Sequence, residues 1–457
     1  MVKIILTISI ILLFLNNLLF AQEEYGLGVL LDKELYVNSP TKAPLMRGDY
    51  NNLPPSHSLK KFTPTPKSQG ADGTCAGWST AYAGHTILEA INKGLQRDEI
   101  DSNAFSPSFV YNQIRFTKNC KGGTSLLDAL NVLKDQGGVK FSDFGNDCDR
   151  EVEESDIKNA SEFRIIEYRE ISSWSEGNQG LFAKKSLSEN RPVIAAMDCP
   201  PSFSNARSVW TPDSSEYKTW NRGHGIAVIG YDDNKYGGAF ELMNSWGIYW
   251  GEDGYSWVRY SDYEFFVHMA FELIDYPKPE FKKPDLSGKL LFSETTEGAM
   301  KFIFNGEYFE TVKPFTSGTL FELFVTNQQP AYVYAFSSDL TYKVDKIFPF
   351  NDKMSAYLPY SQNNVAIPSE ESFNMLDDVK GITYYCFLYS KNKIAIDEKL
   401  LKIKNSEGNM WNRIKSAFGS ELIESSKIKY ELDEEIKFNA FSDSSTIIPI
   451  IIAIKHE

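Results

Sequence analysis

The chain has 457 residues, with 47 lysines and arginines against 61 aspartates and glutamates, for a formal charge of -14. At about 150 residues per domain, that length holds two or three domains, each large enough to bury a core. A chain this acidic is not an evident binder of nucleic acid or of a membrane surface.

In chain order, Lys3 precedes the apolar run Ile4 to Leu15, and Leu18-Leu19-Phe20-Ala21-Gln22 comes next. Residues 1–21 therefore read as a secretory signal peptide cut after Ala21, with a retained membrane anchor as the alternative because Leu19 is larger than the small residue favoured there. Residues 22–64 carry turn formers, Asn38-Ser39-Pro40 and Asn51-Asn52-Leu53-Pro54-Pro55, and only short apolar runs. That stretch reads as an N-terminal linker, either inert or a β-edge strand wrapped on the next domain.

Gln69-Gly70-Ala71-Asp72-Gly73-Thr74-Cys75-Ala76-Gly77-Trp78-Ser79 then opens a helix. Trp78, Ala81, Tyr82, His85 and Leu88 recur at helical spacing and Gly94 stops the run, which places Cys75 in the first turn of a buried helix. A thiol there faces the positive end of the helix dipole, which favours thiolate, although a single cysteine on an apolar helix is more often inert core. Ser106-Pro107 caps a helix over Phe109 to Phe116, and Thr124 starts an amphipathic helix through Leu126, Leu127, Leu130 and Leu133 to Gly137-Gly138. Past Leu187 the pattern changes to strands, Val193 to Met197, Ile226 to Tyr231, Phe240 to Met243 and Tyr255 to Tyr260. Helices first and strands second give an α+β domain in two halves.

The strand half carries Gly223-His224-Gly225 and Asn244-Ser245-Trp246-Gly247. An imidazole can ionise a thiol and later protonate a leaving amine. Asn244 can accept from the ring nitrogen turned away from the sulfur, with Trp246 shielding that bond from water. His85 lies ten residues beyond Cys75 on one helix, about 15 Å along the axis, too far to be its base. His57 and His456 fall in segments that read as flexible, and His268 reads as a satisfied core or surface histidine. With no H-E-x-x-H and no paired C-x-x-C, neither a metal nor another cofactor is expected.

Residues 277–286, rich in proline, read as a linker, and 287–457 as a β-rich domain. Its strands run Lys289 to Phe292, Lys301 to Phe304, Thr319 to Thr326, Ala331 to Ser337, Tyr342 to Phe348, Gly381 to Lys391 and Ile447 to Ile454. A polar amphipathic helix is expected near Asn409 to Phe418. In the third strand both faces are largely apolar, which fits a sandwich or barrel core. No nucleophile, base pair or metal cluster stands out there, so binding a surface or substrate ligand is the better reading.

The cysteine and histidine stretches together resemble the papain-like cysteine peptidases, whose Cys-His-Asn arrangement they share. The resemblance covers roughly Thr65 to Tyr260 and is assigned to a peptidase domain over 65–276. It implies Cys75 as nucleophile, His224 as general base and acid, and Asn244 as the orienting residue. It also implies Gln69 as the side-chain donor of an oxyanion hole whose second donor is the Cys75 N–H. Asn119-Cys120-Lys121-Gly122-Gly123 resembles the family's glycine turn, so Gly122, Gly123 and Trp246 are expected along the substrate. A Cys120 to Cys148 disulfide is implied in the same way, while Cys199 reads as a buried free thiol.

The chain departs from the family at Asp72, where a cysteine is usual, and at Ala76, where an aromatic is usual. A carboxylate at 72 would oppose a thiolate if it pointed inward. The family's inhibitory propeptides are longer and helical, unlike residues 22–64. The C-terminal part resembles a β-rich domain of unknown function found appended to bacterial enzymes. The implied function is an exported endopeptidase acting on polypeptide across a two-sided cleft, secreted, periplasmic or at the cell surface, with no nucleic-acid partner and no membrane contact after signal removal. Two alternatives stay open: a catalytically inactive peptidase-like binding or adhesion protein, and acyl transfer to an amine or to another peptide.

Overall fold

The computed structural model describes residues 25–46, 48–173, 177–275, 285–359, 363–441 and 445–457. The expected signal peptide and most of the proline-rich linker at 277–286 lie outside them. The chain divides into two compact units, the first of residues 1–36, 55–165 and 172–273, the second of 37–54, 166–171 and 274–457.

The first unit is helical, then sheet. Helical segments Cys75–Gly77, Trp78–His85 and Thr86–Lys93 succeed one another without a break and are buried from Cys75 through Ala90. The middle segment is a π-helix. There the Ser79 hydroxyl donates to Cys75 O at 2.8 Å and Thr80 to Ala76 O at 2.7 Å, back-bonding that loosens the ordinary ladder. Gly94 ends the run in the left-handed region at φ 63°, a conformation that suits glycine. Helix Pro107–Ile114 is capped by Ser106, whose Oγ accepts from Phe109 N at 3.1 Å. Ser125, one residue later than expected, caps Leu126–Asp135.

The strands are β1 (Ser56–Ser58), β2 (Glu167–Ser173), β3 (Val193–Asp198), β4 (Val209–Trp210), β5 (Gly223–Asp232), β6 (Ala239–Met243), β7 (Tyr255–Arg259) and β8 (Val267–Ile274). In the first unit they hydrogen-bond in the order β8-β3-β5-β6-β7-β4, with β1 added on β5. Strand β3 is buried at every position, which a sheet covered on both faces requires and which removes the period-2 alternation from its sequence. Antiparallel pairing sets Met197 opposite His224 and Ala227 opposite Met243. That register delivers Asn244 and Trp246, just past the end of β6, beside His224 near the start of β5.

Two histidines differ from the sequence reading. His57 belongs to β1 and its Nε2 lies 3.1 Å from Asn190 Oδ1. His456 ends the strand Ile447–His456, is 3% exposed, and bonds Ser317 Oγ and Thr383 Oγ1 at 3.0 and 2.9 Å. Neither segment is loose, because each is pinned by strand pairing to partners far away in sequence.

The second unit stacks two sheets and a helical layer. One sheet has the order Asn364–Ile367, Leu320–Asn327, Leu286–Glu294, Ile436–Ala440, Ile428–Leu432. The other has the order Phe302–Phe304, Phe309–Thr311, Ile447–His456, Gly381–Ser390, Ala331–Ser338, Val344–Phe348. Phe292, Leu323 and Val325 of the first sheet share a core with Val333, Phe387, Ile450 and Ile452 of the second. The second sheet's other face, through Phe336, Cys386, Leu388 and Ile451, packs on helices Ile396–Asn405 and Met410–Phe418, the former unexpected. Apolar residues on both faces of Gly381–Ser390 result from this three-layer stack.

Cys120 and Cys148, 28 positions apart in sequence, form a disulfide with Cα atoms 5.8 Å apart; Cys75, Cys199 and Cys386 are free and buried. Cys148→Ser should lower the stability of the first unit by about 3 kcal/mol through lost loop closure, read as a drop in the urea midpoint with a steeper slope as the uncrosslinked unfolded chain expands.

Candidate active site

Cys75 is at the first residue of its helix with none of its surface exposed. The amide N–H groups of Gly225, Gly28 and Val29 face its sulfur together with its own. Gly225 directly succeeds His224 in the chain, so the nucleophile candidate lies beside the start of β5, the strand that carries the base candidate. Burial pushes the Cys75 thiol up to about 11 against the pull of those amides.

His224 is fully buried and its Nε2 lies 2.8 Å from Asn244 Oδ1. The same oxygen accepts from Ser245 N at 2.8 Å, which identifies it as the acceptor end of the amide. Nε2 therefore carries the proton and Nδ1 is left as the basic nitrogen, with no hydrogen-bond partner among the described residues. Trp246 stacks on the imidazole with centroids 4.6 Å apart, and Phe203 meets both rings edge-on at 6.1 and 5.5 Å. Burial drives the imidazole down to about 4, partly offset by the Asn244 bond. Since its unfolded value is 6.5, the native ring should stay neutral between pH 6.5 and about 4, and stability should fall as acid protonates the unfolded chain alone. An NMR titration of the His224 ring nitrogens should show no protonation at pH 5.

Gln69 is held by the opposite loop. Gln69 N donates to Ser245 O at 2.8 Å, Gly247 N to Lys67 O at 3.2 Å, and Ser245 Oγ to Gln69 Oε1 at 2.5 Å. With its oxygen engaged, the amide turns Nε2 outward, where it donates to Gly26 O at 3.1 Å and Asp72 O at 2.6 Å. Ser245, which had no role in the sequence reading, is thus what orients Gln69; its only signal was its place beside Asn244. Asp72 points away from the sulfur to Lys121, with Oδ1 3.2 Å from Nζ.

The cleft is filled by residues 25–31 of this same chain. Gly28 N and Val29 N donate to Gly223 O at 3.2 and 3.1 Å, Thr124 N to Gly28 O at 2.7 Å, and Leu30 N to Thr124 O at 3.0 Å. On the glycine turn it is Gly123 and Thr124 that flank this segment, while Gly122 accepts a bond from the Tyr111 hydroxyl at 2.8 Å. Tyr25 stacks on the outer face of Trp246, with centroids 4.5 Å apart.

Residues 59–269 match the family model described as papain family cysteine protease. This stretch is a papain-family cysteine protease domain. The papain-family domain is 28% identical over 193 residues to cysteine proteinase COT44 of Brassica napus, covering 41% of this chain and 54% of that protein. It is 28% identical over 206 residues to cathepsin K of Mus musculus, covering 43% and 56%. The chain spans about half the length of these curated relatives. The structure of xylellain, a cysteine protease from Xylella fastidiosa, superposes with a TM-score of 0.46 at 19% identity, covering 56% of this chain and 97% of that one.

Proposed function

We propose that the papain-family domain hydrolyses peptide bonds within polypeptides through Cys75, His224, Asn244 and Gln69. The observation that carries this reading is the His224 ring, held by Asn244 with its other nitrogen unpartnered, next in the chain to Gly225, whose N–H faces the Cys75 sulfur. In the proposed cycle His224 Nδ1 takes the thiol proton as sulfur bonds to the substrate carbonyl carbon. The carbonyl oxygen becomes an oxyanion held by Gln69 Nε2 and Cys75 N–H. When the C–N bond breaks, His224 gives its proton to the departing amine. Water, deprotonated by the same ring, then releases the carboxylic acid from the thioester.

Gln69 Nε2 already donates to a peptide carbonyl in the cleft, which supports its assignment as oxyanion donor. Export is part of the proposal, supported by the Cys120–Cys148 disulfide, which suits an oxidising compartment.

Hydrolysis of a fluorogenic peptide, measured on a chain whose cleft has been cleared by Gly28→Val, should disappear with Cys75→Ser. Turnover that survives that substitution would overturn the reading.

A further inference from the structure

Two buried N–H groups beside the candidate active site are left without an acceptor. Trp78 is 2% exposed and Asn244 3%, and neither Trp78 Nε1 nor Asn244 Nδ2 has a hydrogen-bond partner among the described residues. An unmet buried donor is destabilising, so in folded proteins such groups are satisfied by other protein groups or by internal water. Both side chains line one small cavity of about 10 Å³, whose walls also include Ser79, Gly225 and Met243. That is about the size of a single water.

The groups around the cavity suit water. The indole and amide nitrogens only donate, so the occupant must accept from both. A water also brings protons to place. Ser79 Oγ shares its own proton between Cys75 O and Ala76 O, 2.8 and 3.2 Å away, and so keeps its lone pairs for an incoming donor. Glycine at 225 leaves that oxygen uncovered, since a Cβ there would lie 2.8 Å from Ser79 Oγ. Two bonds accepted and one donated is the usual complement of an internal water.

The same cavity accounts for a departure from the family's pattern. Ala76 follows the nucleophile where an aromatic is usual, and the indole stands instead at 78, where the π-helix begins. A π-helical turn takes in one more residue than an α-turn, and such turns recur at functional sites. Tyr82 and Phe141 pack on the indole, with centroids 4.8 and 6.4 Å away. Trp78 and Ser79 belong to the helical run that starts at Cys75, whereas Asn244 lies just past the end of β6. An acceptor between them joins the half of the domain that carries the nucleophile to the half that carries the base.

We propose that one internal water, held by Trp78 Nε1–H, Asn244 Nδ2–H and Ser79 Oγ, fixes the Asn244 amide, and that Trp78 is thereby a positioning residue for His224. This rests on the peptidase reading above. Asn244 Oδ1 accepts from His224 Nε2 and from Ser245 N, each at 2.8 Å. With Nδ2 bonded to the water, the amide is set from both ends, and a flip would turn Nδ2–H toward two other donors. The imidazole then keeps Nε2–H on Asn244 and Nδ1 as its basic nitrogen.

The first test reads no turnover. In the full chain with isotope-labelled indole nitrogens, the Trp78 Nε1–H resonance, identified as the one that Trp78→Phe deletes, should show an NMR cross-relaxation peak to water, of the sign that marks a bound molecule and not proton exchange. Its absence would overturn the water. The second test reads hydrolysis of a fluorogenic peptide in the Gly28→Val chain, where a Cβ would lie 2.0 Å from Gly73 O and residue 28 cannot stay in the cleft. There Trp78→Phe, which keeps an aromatic ring and loses the N–H, should lower kcat by about 2- to 10-fold, the worth of one neutral hydrogen bond, with KM unchanged. In a chain that already carries Asn244→Ala it should lower kcat no further. An equal loss with and without Asn244 would overturn the positioning role and make Trp78 a packing residue. A bound-water peak in chains that hydrolyse no peptide would leave the water standing and remove the peptidase reading instead.

Discussion

Replacing His224 with alanine in the cleft-cleared Gly28→Val chain should lower kcat for a peptide substrate by about 10²- to 10⁴-fold, the span of general acid–base catalysis. The ring is one member of a unit, so the double change of His224 and Cys75 should be no worse than the change of Cys75 alone. The pH dependence separates loss of the base from damage to the fold. Without an imidazole to take its proton, the thiol must ionise unaided, and its surroundings hold it up near 11. Residual turnover of the His224→Ala chain should therefore climb steadily as pH rises from 7 to 10, while the chain that keeps His224 should vary much less over that span. A flat residual rate, or turnover unchanged by the substitution, would mean that this nitrogen does not take the proton.

Cys75, His224 and Asn244 were legible because each lies in a short stretch whose residue types imply both a local structure and a chemistry. The pairing of His224 with Asn244 needed one further step, the antiparallel register of β5 and β6. The course of residues 25–31 was not legible. Gly26 pairs with Gly70 and Gly28 with Thr124, bonds between backbone groups far apart in the chain that leave no periodicity and need no particular side chain. Its glycines read as loop formers, when their function is to let two backbones touch. The π-helical turn at Trp78–His85 was hidden for a different reason: all eight residues are buried, so no apolar stripe distinguishes one helical period from another.

In the β-rich unit, Ile396, Leu400 and Ile403 carry a helical spacing to which the sequence reading assigned no element, three apolar positions in a single ten-residue helix being a weak signal. His456 was judged by its closeness to the end of the chain, whereas tertiary pairing along the strand Gly381–Ser390 decides its order. Position in sequence is a weak guide to mobility when the terminal strand is central in its sheet.

Gln69→Ala should lower kcat in the same cleft-cleared chain by about 10²- to 10³-fold and leave KM within a few fold, because an oxyanion donor acts on charge that exists only in the transition state. The geometry makes a second, more discriminating expectation available. Gln69 is aimed by the Ser245 hydroxyl, which binds its Oε1 at 2.5 Å and so keeps the N–H end toward the cleft. Ser245→Ala removes the aim but not the donor, and should cost less in kcat than loss of Gln69 itself. If the two residues act through one hydrogen bond, Ser245→Ala should have almost no effect once Gln69 is alanine, a coupling that a merely structural serine would not show. Gln69→Glu offers a further contrast, since it keeps the acceptor oxygen and the size while exchanging the donor for a carboxylate that repels the forming oxyanion; it should be at least as slow as Gln69→Ala. Should Gln69→Ala raise KM and spare kcat, the side chain would be a binder of ground-state peptide, as it now binds Gly26, and the oxyanion would have to be held by the Cys75 amide alone.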